Sequence, residues 1–212
     1  MLTLGTACYR RYDLLAEMIA SAEAGERPPD RYFLVDNGGR ADARSLPAHT
    51  SIFRPGKNIG VAPAVNIVFR QNGDLTIWTN DDVRFERETL ALLEQAALTD
   101  PERLFVLPES NVGSAFTVFL ARKKLFDRIG WFDERFVPAY YEDNDFGYRM
   151  HLAEISRHTV PSRYFHHMSA TLKQYSPEER RAHDAAFERN RSLYARKWGG
   201  LPGHETRSVP AI

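Results

Sequence analysis

Residues 141–149, Tyr-Glu-Asp-Asn-Asp-Phe-Gly-Tyr-Arg, place three carboxylates within four positions at the start of a predicted helix over 142–154. On a helix Asp145 and Arg149 are i, i+4 neighbours and can pair. Asp143 shares its face with Gly147, which has no side chain and would let a ligand approach closely. Acids also gather at helix starts simply because they oppose the dipole, so other polar clusters must decide between the two readings. Two stand out. Asp81 and Asp82 are adjacent carboxylates that repel unless a cation lies between them, and hard oxygen ligands suit Mg²⁺ or Mn²⁺. His166-His167 lies on an extended segment whose neighbours point to opposite sides, so at most one faces a site. Imidazole there favours Mn²⁺ over Mg²⁺.

The elements that must position these groups read as strands alternating with helices, the pattern of a mainly parallel sheet covered on both faces. Strands are expected over 2–7, 31–35, 51–54, 75–79, 104–107 and 115–121, with a short one near 158–160. Helices are expected over 13–24, 60–70, 88–98, 123–129 and 177–198, with Pro63 tolerable in a first turn. The last helix is highly charged, which reads as a solvated face. Residues 199–212 read as a loose tail after a single domain over 1–198. In open parallel sheets ligands bind beyond the carboxyl ends of the strands. Three polar groups fall there: Thr6 to Arg11, Asp36 to Gly39, and Asn80 to Asp82. Residues 57–62 precede a helix whose free N–H groups would face a phosphate.

Composition narrows the partners. The chain has 212 residues, with 28 Lys plus Arg against 28 Asp plus Glu. Zero net charge gives no general attraction to nucleic acid or an anionic membrane. The apolar runs are too short for a transmembrane segment, and no signal peptide is evident, so cytoplasmic residence is expected. The single cysteine, Cys8, excludes an intrachain disulfide and a Cys-based zinc site.

With these residues in hand, the chain resembles the family 2 glycosyltransferases, over residues 2–198. Tyr9-Arg10-Arg11 followed by Leu14-Leu15 is similar to the family's Tyr-Asn-Arg-x-x-x-Leu segment, with Arg10 in place of Asn. Val35-Asp36-Asn37-Gly38-Gly39 and Asn58-Ile59-Gly60 with Asn66 resemble two further elements. Asn80-Asp81-Asp82 takes the place of the DxD motif, with Asn for the first acid. Gly130-x-Phe132-Asp133-Glu134 and Glu142-Asp143-x-Asp145-x3-Arg149 resemble the run before the catalytic acid and the acid's own signature. His167 lies six residues after Pro161, like the family's late metal-binding histidine.

The resemblance implies an α/β GT-A fold, a single Rossmann-like α/β/α sandwich, and an inverting transfer of sugar from a nucleotide diphosphate to an acceptor hydroxyl. It implies Asp143 as general base, and Asp82 with His167 as ligands of Mn²⁺ or Mg²⁺. Donor contacts would come from Thr6, Tyr9, Arg11, Asp36, Asn58, Gly60, Asn66, Asn80 and Asp81. The donor expected is a UDP- or dTDP-sugar. The acceptor expected is a glycan or glycoconjugate, met by Glu142 and Trp131, in a site left open or completed by a second subunit of a homo-oligomer. Trp131, Tyr140 and Tyr141 flank the acids, where aromatic faces stack on sugars or fill a core equally well. A nucleotidyltransferase would need a glycine-rich basic loop after the first strand, which Thr6-Ala7-Cys8-Tyr9 lacks; a nucleotide-sugar binding module without turnover is the other alternative.

Overall fold

The structure, a computed structural model, describes residues 1–73, 75–100, 103–108 and 116–211. Its centre is a seven-stranded sheet in the order β3-β2-β1-β4-β7-β6-β8. The strands are β1 (Leu2–Cys8), β2 (Arg31–Asp36), β3 (Thr50–Phe53), β4 (Leu75–Thr79), β6 (Leu104–Val106), β7 (Val118–Ala121) and β8 (Arg157–Thr159). Pairings among β3, β2, β1 and β4 are parallel, as is β6 with β8, while β7 runs antiparallel between β4 and β6. Residue 115, the expected start of β7, lies outside the described residues.

Alternation along the strands builds two cores, as a sheet covered on both faces requires. Tyr32 and Leu34 of β2, Ile77 of β4 and Leu120 of β7 face α1 (Tyr12–Glu23) and α3 (Thr89–Thr99). Phe33, Val35, Trp78 and Phe119 face α2 (Val61–Gln71), α4 (Lys123–Ile129) and α5 (Glu142–Leu152). A Cβ on Gly5 would stand 2.1 Å from a Val68 methyl, so the missing side chain is what lets α2 lie directly on β1. None of the helices among the described residues is long and apolar enough to cross a membrane.

Three features depart from expectation. A second, two-stranded sheet pairs β5 (Val83–Phe85) antiparallel with β9 (Tyr164–His166). Strands of three residues are too short to show a period, so neither was anticipated. The last helix, α6 (Pro177–Trp198), begins with a Ser176–Glu179 capping box and Pro177 at its first position. It is not solvated all round: Asn190, Tyr194, Lys197 and Trp198 are buried, and Tyr194 and Trp198 form a third apolar cluster with Phe136. Finally, residues 199–211 are folded back, not loose. The N–H groups of Thr206 and Arg207 donate to the Trp198 carbonyl, and Ala211 donates to that of Lys197 at 2.9 Å. These bonds satisfy carbonyls that the end of α6 leaves open.

Candidate active site

A cavity of about 390 Å³ opens beyond the carboxyl ends of β1 and β4 and against the start of α5. It brings together the Asn80–Asp82 turn, the first two residues of α5 and the chain after β9. The turn is fixed because the Asn80 N–H donates to the Thr117 carbonyl at 3.0 Å. Asp82 is buried, and His166 Nε2 lies 3.0 Å from its Oδ1. The β5–β9 ladder makes this contact by pairing Val83 with His166, and the His167 N–H donates to the Asp82 carbonyl at 2.9 Å. Strand alternation then turns His167 away, 3.5 Å from Glu17 on α1 and off the cavity. The histidine that meets Asp82 is therefore His166, one position before the one expected.

Asp81 also lines the cavity. Burial raises its carboxyl to about 7; a hydrogen bond from the Cys8 thiol opposes this and the neighbouring Asp82 charge adds to it. Burial and the Asp81 charge push the Cys8 thiol up in turn, which leaves it a poor nucleophile.

The acidic turn is aimed by strained backbone. Tyr140 and Tyr141 both have left-handed φ, at 78° and 70°, a conformation that costs ~1–2 kcal/mol for a residue with a Cβ. Buried Asn190 on α6 offsets this by donating to the carbonyls of Ala139 at 2.9 Å and Tyr140 at 3.2 Å. Arg189 donates to the Val137 carbonyl. The charged helix thus braces the loop that enters α5.

Beyond that loop the three acids of the turn separate. Glu142 is 7% exposed, and its Oε2 has no partner among the described residues. Burial, with the Asp143 charge behind it, pushes its carboxyl well above the usual range, and Glu142 lines the cavity beside Asp143. Asp143 also lines the cavity, with Oδ1 accepting the Asn144 N–H at 2.8 Å. Asp145 is fully buried and points the other way. It lies 3.0 Å from Arg149 Nε, 2.5 Å from Lys197 Nζ and 2.8 Å from the Trp198 indole N–H. Gly147 abuts the Phe116 ring, 3.7 Å from where its Cβ would be, so it serves packing and not ligand approach.

The expected donor residues divide in the same way. Tyr9, Asn58, Gly60 and Asn80 line the cavity. Gly60 has φ 84°, and a Cβ there would meet the Pro138 carbonyl oxygen at 2.6 Å. Three of the N–H groups at the α2 start are already engaged: Val61 donates to the Pro138 carbonyl, Gly60 to Asn58 Oδ1 and Ile59 to Asn37 Oδ1. Thr6 is buried beneath the floor, and Arg11 turns to Asp13 at 2.6 Å. Asp36 is 1% exposed and already accepts from Tyr12, from the Arg40 and Ala41 N–H groups and from Arg54. Asn66 is wholly buried and clamps the Phe132 backbone, donating to its carbonyl at 2.9 Å and accepting its N–H at 3.0 Å. It cannot reach a ligand. Trp131 stacks on Phe126 at 4.9 Å with Arg70 over its ring, and fills core outside the cavity. Met168 to Leu172, Tyr175 and His183 line the cavity instead and were not anticipated; no periodic pattern marks the irregular segment that carries most of them.

Comparison with solved structures matches this arrangement of sheet and helices. The chain has the GT-A fold. It is similar to a mannosyltransferase, PcManGT from Pyrobaculum calidifontis, in complex with GDP-Man and Mn²⁺, with a TM-score of 0.61 and 15% identity over 76% of this chain and 54% of that one. Against TarS 1–349 of S. aureus the TM-score is 0.61 and identity 14%, over 93% of this chain and 73% of that one. Against GalNAc-T7 with UDP, GalNAc and Mn²⁺ the TM-score is 0.65 and identity 12%, over 78% of this chain but 43% of the other. The chain thus spans about half the length of PcManGT and less of GalNAc-T7. No protein-family model and no curated protein matches it.

Proposed function

We propose that residues 1–198 form a metal-dependent inverting glycosyltransferase that moves a sugar from a nucleotide diphosphate to an acceptor hydroxyl. The observation that carries this reading is the meeting, in one cavity of a GT-A fold, of the Asp82–His166 pair with the Glu142–Asp143 turn.

A divalent cation fits the first pair. A buried carboxylate and an imidazole 3.0 Å apart are two converging donors, and among the described residues no third His, Cys, Asp or Glu completes a protein cage. Such a partial set suits an ion whose remaining ligands are phosphate oxygens and water, and the imidazole favours Mn²⁺. When bound, the ion supplies Lewis-acid stabilisation of charge on the leaving diphosphate. The Asn at position 80 leaves Asp82 as the carboxylate of the motif that holds it.

Asp143 acts as general base, accepting the proton of the attacking acceptor hydroxyl through a carboxylate oxygen at the cavity wall. Glu142, beside it at the cavity wall, contacts the acceptor sugar. Attack and departure on opposite faces of the anomeric carbon make the transfer inverting. Tyr9, Asn58 and Asp81 bind the nucleotide side, with UDP or dTDP favoured over GDP.

The reading is tested by thermal-shift titration of UDP-, dTDP- and GDP-sugars with and without Mn²⁺, since a ligand that binds the folded state alone raises its stability. Metal-dependent stabilisation by one nucleotide family is expected. No response to any nucleotide would overturn the donor assignment.

A further inference from the structure

Part of the wall of the cavity that Asp143 also lines is made by three rings from three different segments. Tyr140 precedes α5, Tyr175 precedes α6, and His183 lies in the second turn of α6. The His183 ring centroid is 5.2 Å from that of Tyr140 and 5.8 Å from that of Tyr175, both edge-to-face. All three are half-buried, and Phe187 backs Tyr140 at 5.2 Å. Tyr140 has left-handed backbone, and Asn190 on α6 braces it by donating to its carbonyl at 3.2 Å. Strain kept at a cavity wall by a dedicated brace is the pattern of a binding site.

Charge gives a second, independent observation. Among the described lining residues there are four acids, Asp81, Asp82, Glu142 and Asp143, and no lysine or arginine. The nearby cations are already engaged: Arg10 lies over the Tyr175 ring at 5.2 Å but pairs with Glu179 and donates to the Gln174 carbonyl, Arg180 donates to the Leu172 carbonyl, and Arg189 to that of Val137. No lysine or arginine among the described lining residues compensates a negative ligand, and Asp143 would repel one.

We propose that the wall of Tyr140, Tyr175 and His183 is the acceptor subsite, and that it takes an uncharged sugar ring and excludes an anionic one. This rests on the transferase reading and names its acceptor class. A pyranose ring presents C–H bonds on one face for the tyrosine rings and hydroxyls at its rim for polar neighbours, which fits an aromatic wall. Asp143 lines the same cavity as this wall.

Ligand-observed saturation-transfer NMR tests this without needing turnover. The probes are p-nitrophenyl β-glucuronide and its methyl ester, the same ring with and without a charge, with p-nitrophenyl β-glucoside as the uncharged reference. The ester and glucoside are expected to bind about tenfold more tightly than the acid. Tyr175→Ala should weaken them about fivefold, while Tyr175→Phe keeps the ring and most of the affinity. Circular dichroism confirms that the variants fold. Equal or tighter binding of the acid, or binding unchanged by Tyr175→Ala, would overturn the proposal. UDP and GDP with Mn²⁺ are titrated in parallel. Nucleotide binding without saccharide binding would sink the acceptor subsite and leave the transferase reading standing; saccharide binding without any nucleotide would sink the transferase reading, and with it the acceptor role of a wall that still binds sugar.

Discussion

Trp198 donates its indole N–H to Asp145 at 2.8 Å, joining the last turn of α6 to the first turn of α5. Around that bond Lys197 lies 2.8 Å from Asp133 and 2.5 Å from Asp145, and Arg149 donates to the carbonyls of Ile129, Gly130 and Trp131. The acidic turn therefore has one carboxylate anchored in a buried polar network and two left at the cavity wall. That division lets α5 present Asp143 from a fixed base.

The anchor gives a stability prediction. Asp145→Ala leaves Lys197 and Arg149 short of a buried counter-charge, a change that costs about 3–5 kcal/mol. Urea denaturation should show that loss as a lower midpoint. An unchanged midpoint would mean the network does not hold the helix.

Gly60→Ala tests the crossing of the α2 start under the loop before α5. The new Cβ would lie 2.6 Å from the Pro138 carbonyl oxygen, at a φ of 84°. A left-handed non-glycine residue costs ~1–3 kcal/mol, and relief of the clash must move Pro138. Thermal unfolding should report a lower Tm.

Glu142 supplies the pH prediction. Its folded-state pKa stands above the ordinary 4.5 because of burial and the Asp143 charge. A raised pKa means that the folded chain holds the proton more tightly than the unfolded one. The associated stability is complete below about 4.5 and falls as pH rises through the window above it. Glu142→Gln, neutral at every pH, removes that dependence. Its stability relative to wild type should grow between pH 4 and pH 8 in urea titrations; a constant difference would place the carboxyl in contact with water.

His166 and His167 make opposite predictions for the metal. His166→Ala should weaken Mn²⁺-dependent nucleotide binding about 10–100-fold, because His166 faces Asp82. His167→Ala should leave it within about twofold, because that ring faces Glu17. Calorimetric titration of UDP with Mn²⁺ distinguishes them.

The strand and helix alternation through β4, the boundaries of α6 and the Asp145–Arg149 pair were readable in the sequence, since each depends on local periodicity or i, i+4 spacing. The direction of β7 was not, because antiparallel insertion between β4 and β6 leaves no mark on a buried apolar strand. The Asp82 partner was shifted by one residue for the same kind of reason: family spacing pointed to His167, while the register of a three-residue ladder decides which ring faces inward. Asn66 and Trp131 carried motif-like positions yet serve packing, one through both backbone groups of Phe132 and the other against Phe126. Tyr175 and His183 enter the site only because α6 folds back across the cavity, a long-range contact no sequence window contains.

The central claim is that Asp143 removes the acceptor proton while the nucleotide is held elsewhere in the cavity. It is tested most directly by Asp143→Asn, with release of nucleotide diphosphate from the stabilising donor measured beside calorimetric donor affinity. The account predicts a loss of turnover of at least about 100-fold, with donor affinity within about threefold of wild type. Undiminished release of nucleotide diphosphate by the variant would contradict it.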